Sequence, residues 1–147
     1  MRYAAILSIL TLTSCGQFHS AKDPRTIRGI NPIFQPYIEQ YTTYKGSLLD
    51  YEIAIQFSDL PENQNGRCTK FPSGERQIEI DQEWWDNYSY DNTRFTVIAH
   101  ELGHCDLNRR HVATLLPNGK PTSIMFPYNF SIFPEDMDYY IKELFNR

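Results

Sequence analysis

A chain of 147 residues is long enough for one domain with a hydrophobic core and too short for two. Its formal net charge is −4 and the basic residues are scattered, which excludes the continuous basic surface that tracks phosphates. The expectation is one binding or catalytic unit, monomeric, with no nucleic-acid partner.

The N-terminus, MRYAAILSILTLTSCGQ, carries one positive charge at Arg2 and an apolar run from Tyr3 to Leu12. A membrane-spanning helix needs about 20 apolar residues, so this run fits the centre of an export signal instead. Removal of residues 1–14 takes away Arg2 and no acid, leaving a charge of −5. The stretch LTSC ending at Cys15 resembles the bacterial lipobox. That resemblance implies a lipoprotein signal peptide over 1–14, a lipid on Cys15, and an extracytoplasmic protein anchored to a bacterial membrane, on its periplasmic or cell-surface side. Ordinary signal cleavage with a free Cys15 thiol is the alternative. Residues 15–28 are polar and aperiodic, contain Pro24 and His19, and read as a tether; 29–147 form the domain. Cys68 and Cys105 remain as an even pair, which in an oxidising compartment predicts a disulfide, with two buried thiols as the other reading.

In chain order, Asn31 and Pro32 are a helix-start signal, followed by Ile33, Phe34, Tyr37, Ile38 and Tyr41 at spacings of three and four. YEIAIQF alternates, placing Ile53, Ile55 and Phe57 on one face of a strand. LPENQNGRC reads as a turn-rich connection. RQIEID alternates again, with Ile78 and Ile80 inward and Gln77, Glu79 and Asp81 outward, and reads as an edge strand facing water. Trp84, Trp85, Tyr88 and Tyr90 form an aromatic stretch suited to core packing. Asn92 or Thr93 is expected to cap the next helix, and PEDMDYYIKELFNR reads as a C-terminal helix. The fold class expected is α+β.

The chemistry lies in TVIAHELGHCDLNRRH. His100 and His104, four residues apart, are rotated by about 400° and project from one helix face, so their imidazoles can share a zinc ion at about 2.0–2.1 Å each. Glu101 sits beside them, in reach of a metal-bound water. Phe95, Ile98, Leu102 and Cys105 face the core. Gly103 costs about 1 kcal/mol in a helix interior, which predicts a close approach at that point. His111 lies too far along a continuous helix to reach the same ion, about 10.5 Å beyond His104. The chain therefore has to turn, and Asn108 tolerates the left-handed conformation that ends helices.

HELGHCDLNRRH resembles the metzincin zinc-peptidase signature H-E-x-x-H-x-x-G-x-x-H, with Asn108 in place of the turn glycine and the third histidine one residue late. TSIMFP resembles the metzincin Met-turn, with Met125 beneath the ligands and Tyr128 as a transition-state or metal contact. The resemblance, carried by residues 76–128, implies a small metzincin-like domain with an edge strand beside the active helix, zinc on His100, His104 and His111, and a zinc-dependent endopeptidase. Glu101 would be its general base, and a peptide or protein substrate would lie extended along the 77–81 strand. Two rivals stand beside it. One is a gluzincin arrangement with Glu135 or Glu143 as third ligand; the other is a lipid-anchored, zinc-containing binding or adhesion protein without catalysis.

Overall fold

The computed structural model describes residues 29–87, 90–128 and 130–145. The expected signal peptide, Cys15 and the tether lie outside the described residues, as does Tyr88. No described helix is long and apolar enough to cross a membrane. The described chain is a small α+β domain with a three-stranded mixed sheet and four α-helices.

Asn31 caps a 3-10 turn, Pro32–Phe34, through its Oδ1, which accepts from the Ile33 N–H at 3.2 Å. The turn runs into α1 (Gln35–Lys45), where Pro36 falls in the first turn and needs no intrahelical donor. Phe34, Ile38 and Tyr41 are buried, whereas Ile33 is 46% exposed because it lies on the turn and not on the helix face expected for it. Gly46, with φ 77°, ends α1 in the left-handed conformation glycine adopts without strain.

Strands β1 (Ile53–Ser58), β2 (Gly66–Lys70) and β3 (Arg76–Asp81) are ordered β1-β3-β2. β3 pairs in parallel with β1 and antiparallel with β2, so the RQIEID strand is central and not at an edge. Gln77, expected to face outward, is buried, because a strand flanked on both sides has its polar face screened by its neighbours' side chains. β2 is the outer strand on the side expected to face water, and it begins inside the LPENQNGRC stretch that reads as a turn. Its polar sequence hides it, and its Arg67 and Lys70 are the charges that keep an edge strand from pairing promiscuously.

The aromatic stretch forms a short helix, α2 (Gln82–Asn87), held by the Asp81 Oδ1 accepting from the Trp84 N–H at 2.7 Å. Trp85 packs into the core against Phe34, Tyr37 and Phe57. α3 (Asp91–Cys105) crosses the sheet with Phe95, Ile98, Leu102 and Cys105 buried as their periodicity predicts. Its cap position is Tyr90, with no side-chain cap bond; Asn92 and Thr93 are already inside the helix. A long irregular segment leads to a 3-10 turn at Pro134–Asp136 and α4 (Met137–Leu144), which buries Tyr140, Ile141 and Leu144. The Cys68–Cys105 disulfide ties β2 to α3, as the cysteine count predicts.

Candidate metal centre

α3 presents His100 and His104 one turn apart, with their Nε2 atoms separated by 3.1 Å. The helix ends at Cys105 and Asn108 takes φ 56°, the left-handed turn read from its side-chain type. Arg109 N–H donates to the Gly103 carbonyl at 2.9 Å, and the reversed chain brings His111 Nε2 to 3.1 Å from His100 Nε2 and 3.0 Å from His104 Nε2. The turn is held from the sheet. Asn108 Oδ1 accepts from Lys70 and Arg76, each at 3.1 Å, and the Arg76 guanidinium lies over the Tyr51 ring and donates to the Cys105 carbonyl. A cation on the last carbonyls of α3 offsets the negative end of its dipole.

The other ring nitrogens are committed. His100 Nδ1 lies 2.8 Å from the Ile124 carbonyl, and His104 Nδ1 lies 2.8 Å from the Arg109 carbonyl. A carbonyl only accepts, so each Nδ1 carries the proton and each Nε2 turns a lone pair toward the other at 3.1 Å. Two acceptors so placed have no bond to share; a cation between them satisfies both. Burial brings the His100 pKa down to about 4, against the opposing pull of the Ile124 carbonyl, and burial lowers His104 as well. Both rings are therefore neutral near pH 7, which is the form that binds metal.

This donor set fits zinc. Tetrahedral coordination at about 2.0–2.1 Å spaces imidazole nitrogens roughly 3.3 Å apart, close to the 3.0–3.1 Å found here. Among the described residues, His100, His104 and His111 form a cluster of ligand-type side chains with no fourth member. Cys105 is taken by the disulfide, and Asp106 turns away to Lys45, the Tyr41 hydroxyl and the Asp50 N–H. Three such ligands without a fourth would leave a coordination position open on a bound ion. Glu135 is outside the cluster, and the Glu143 carboxylate is engaged by Arg109, Ser123 and the Ile124 N–H, so neither carboxylate of the gluzincin alternative stands beside the two helix histidines, whereas His111 does.

Glu101 is buried beside the histidines. Burial pushes its carboxyl up to about 8, partly offset by the Cys68 N–H. It packs on the first residue of β2: a Cβ at Gly66 would stand 2.7 Å from Glu101 Cγ and 2.9 Å from its Oε1. Met125 is fully buried against Gly103, where a Cβ would run into its sulfur and lie 3.0 Å from its Cε. The close approach read from a glycine inside the helix is thus made by Met125.

The centre opens into a cleft of about 260 Å³. Asn63, Gln64, Asn65 and Gly66 form one wall, and Phe126, Pro127, Tyr128 and Phe130 the other, with His100, Glu101 and His111 between them. Tyr128 is 72% exposed, its ring set edge-on to Phe126 at 5.6 Å between centroids. The amide wall and Gly66 escape a sequence reading, because β2 carries no apolar alternation to announce a strand there.

Fold and site together define a small α+β domain with a three-histidine centre at the end of a helix. No family model and no curated protein matches the chain. Among solved structures, the GM1-bound form of the ECX AB5 holotoxin contains a chain similar over 76% of this one and 59% of that one, at 18% identity and a TM-score of 0.45. The chain thus spans less than two thirds of the chain it matches.

The endopeptidase conclusion is corrected. Its substrate path along β3 is closed, since β1 and β2 occupy both edges of that strand. The likeness to the GM1-bound holotoxin chain, at a TM-score of 0.45, carries no argument about what this chain binds or does, so function rests on the centre and cleft themselves.

Proposed function

We propose that His100, His104 and His111 hold one zinc ion in a metzincin-like arrangement and that the domain is a zinc-centred binding module for a peptide or protein ligand. The observation that carries this is the triangle of Nε2 atoms 3.0–3.1 Å apart, two of them forced by carbonyls on Nδ1 to face inward as lone pairs. Zinc bound there supplies a Lewis-acid centre for an oxygen donor of the ligand. The Asn63–Asn65 amides can donate to and accept from main-chain groups, and the Phe126–Phe130 wall offers apolar surface to a side chain. Extracytoplasmic anchoring through Cys15 belongs to the same proposal. It is supported by the Cys68–Cys105 disulfide, a bond sustained in oxidising compartments.

A second reading, a zinc-dependent hydrolase, is favoured by the Glu101 carboxyl in the same cleft. A neighbouring divalent charge lowers the pKa of a buried carboxyl, and Glu101 would then hold a proton acceptor next to the open position.

Metal analysis of the purified domain tests the proposal. Wild type and Glu135→Ala are expected to hold one zinc per chain and His111→Ala to lose it. A wild-type protein without stoichiometric zinc, or His111→Ala with undiminished affinity, would refute it. Glu101→Gln, expected to retain zinc, separates the readings: ligand binding survives that change in a binding module, whereas turnover is lost in a hydrolase.

A further inference from the structure

We infer that Glu143, near the end of α4, is the positioning residue of the histidine centre, holding Ile124 and Arg109, the two residues whose carbonyls orient His100 and His104. The inference rests on the zinc-site reading above and extends it to a residue outside the motif.

α4 docks through Tyr140, Ile141 and Leu144, and that packing makes no demand on position 143. A carboxylate in the last turn of a helix faces the negative end of the dipole, so its presence there calls for compensation. It receives this from two directions. Glu143 Oε1 pairs with Arg109 Nη2, and Arg109 Nη1 donates to the Glu143 and Leu144 carbonyls at 2.9 and 3.0 Å, satisfying two groups that a helix end leaves without partners. Glu143 Oε2 accepts from Ser123 Oγ at 2.8 Å and from the Ile124 N–H at 3.3 Å.

Two of these contacts, to Arg109 and to Ile124, are one residue removed from a histidine. The Arg109 carbonyl receives His104 Nδ1–H, and the Ile124 carbonyl receives His100 Nδ1–H. Ser123 Oγ also accepts from the Met125 N–H at 2.9 Å, and the Met125 carbonyl accepts from the Val112 N–H at 2.9 Å, next to His111. One carboxylate thereby ties together the turn that follows α3 and the turn that carries Met125. Both segments are irregular and keep other anchors, among them the Arg109 N–H on the Gly103 carbonyl and the Val112 N–H on the Met125 carbonyl, so loss of the tie loosens the two carbonyls against the ring nitrogens they fix without unfolding the turns. Carbonyls and carboxylates that hold metal-ligating imidazoles set ring orientation and basicity, and their loss costs about 10–100-fold in metal affinity.

The test uses Glu143→Ala, the near-isosteric Glu143→Gln, and Lys120→Ala, which breaks the Lys120–Asp136 ion pair beside α4 without touching the centre. Zinc affinity is measured by chelator competition, the visible spectrum after cobalt(II) loading reports coordination geometry, and circular dichroism of the metal-free proteins reports folding. Both Glu143 variants are expected to lose roughly 10–100-fold in zinc affinity and to change the cobalt spectrum, while Lys120→Ala keeps both. If Glu143→Ala does not fold, Glu143→Gln carries the test. A folded Glu143 variant with wild-type affinity and spectrum, or an equal loss in Lys120→Ala, would overturn the inference and leave the zinc site standing. A wild type that takes up no zinc would remove the zinc-site reading, and this one with it.

Discussion

Replacing Gly103 by alanine sets two opposed effects against each other at one methyl group. In a helix interior the change favours folding by about 1 kcal/mol, since glycine loses more backbone freedom than alanine. The new Cβ, however, would enter the space of the Met125 sulfur and stand 3.0 Å from Met125 Cε and 3.4 Å from Leu144 Cδ1. Met125 is fully buried, and its backbone is pinned by Ser123 Oγ on the N–H and by Val112 on the carbonyl. The side chain can yield only by overpacking its surroundings, which costs about 1–3 kcal/mol. The balance is a net destabilisation of about 1 kcal/mol, measured as a lower urea midpoint with unchanged slope. Met125→Ala alone should cost about 2–5 kcal/mol through the cavity it leaves. In the double variant the methyl introduced at position 103 enters the vacated space, so the combined loss should fall short of the sum of the two single losses by about 1 kcal/mol or more. If Gly103→Ala instead stabilised the protein and combined additively with Met125→Ala, the packing of Met125 against the helix glycine would be refuted.

The metal-free protein should have its stability optimum near pH 6.5. His100, held down to about 4, binds fewer protons folded than unfolded, so stability rises with pH from about 4 to 6.5. Glu101, pushed up to about 8, binds more protons folded than unfolded, so its effect is to lower stability as pH rises from 4.5 to 8. The two oppose each other below 6.5, where the lowered His104 adds to the rise. Above 6.5 only the Glu101 loss remains, on the order of 2 kcal/mol by pH 8. Chemical denaturation across pH checks this, and Glu101→Gln should flatten the alkaline limb. Cutting the disulfide by replacing both Cys68 and Cys105 with serine should cost about 4 kcal/mol on the chain-entropy model for the 37-residue separation, seen as a lower melting temperature; a shift of less than a degree would assign the bond no role in stability.

What the sequence determined by itself was local. His100 and His104 share a helix face because four residues make slightly more than one turn, and Asn108 ends the reversal because its side chain tolerates positive φ. The pairing of Cys68 with Cys105 follows from their being the two cysteines of the domain. Gly103 announced a close neighbour because a glycine inside a helix is costly without one.

Relations between distant segments were decided only by the tertiary structure. RQIEID alternates like an edge strand, yet it is central, because β2 arrives on its open side from a polar stretch with no periodic signal. Gly66 was invisible as a site residue until β2 brought it against Glu101. Glu143 could be imagined as a metal ligand from its residue type, but in the folded chain both its oxygens are taken, and it lies behind the histidines that it helps to hold. Local pattern reports which face a side chain takes on its own element. Which element then covers that face depends on contacts 30 or more residues apart, such as Arg109 with Glu143, for which periodicity carries no information.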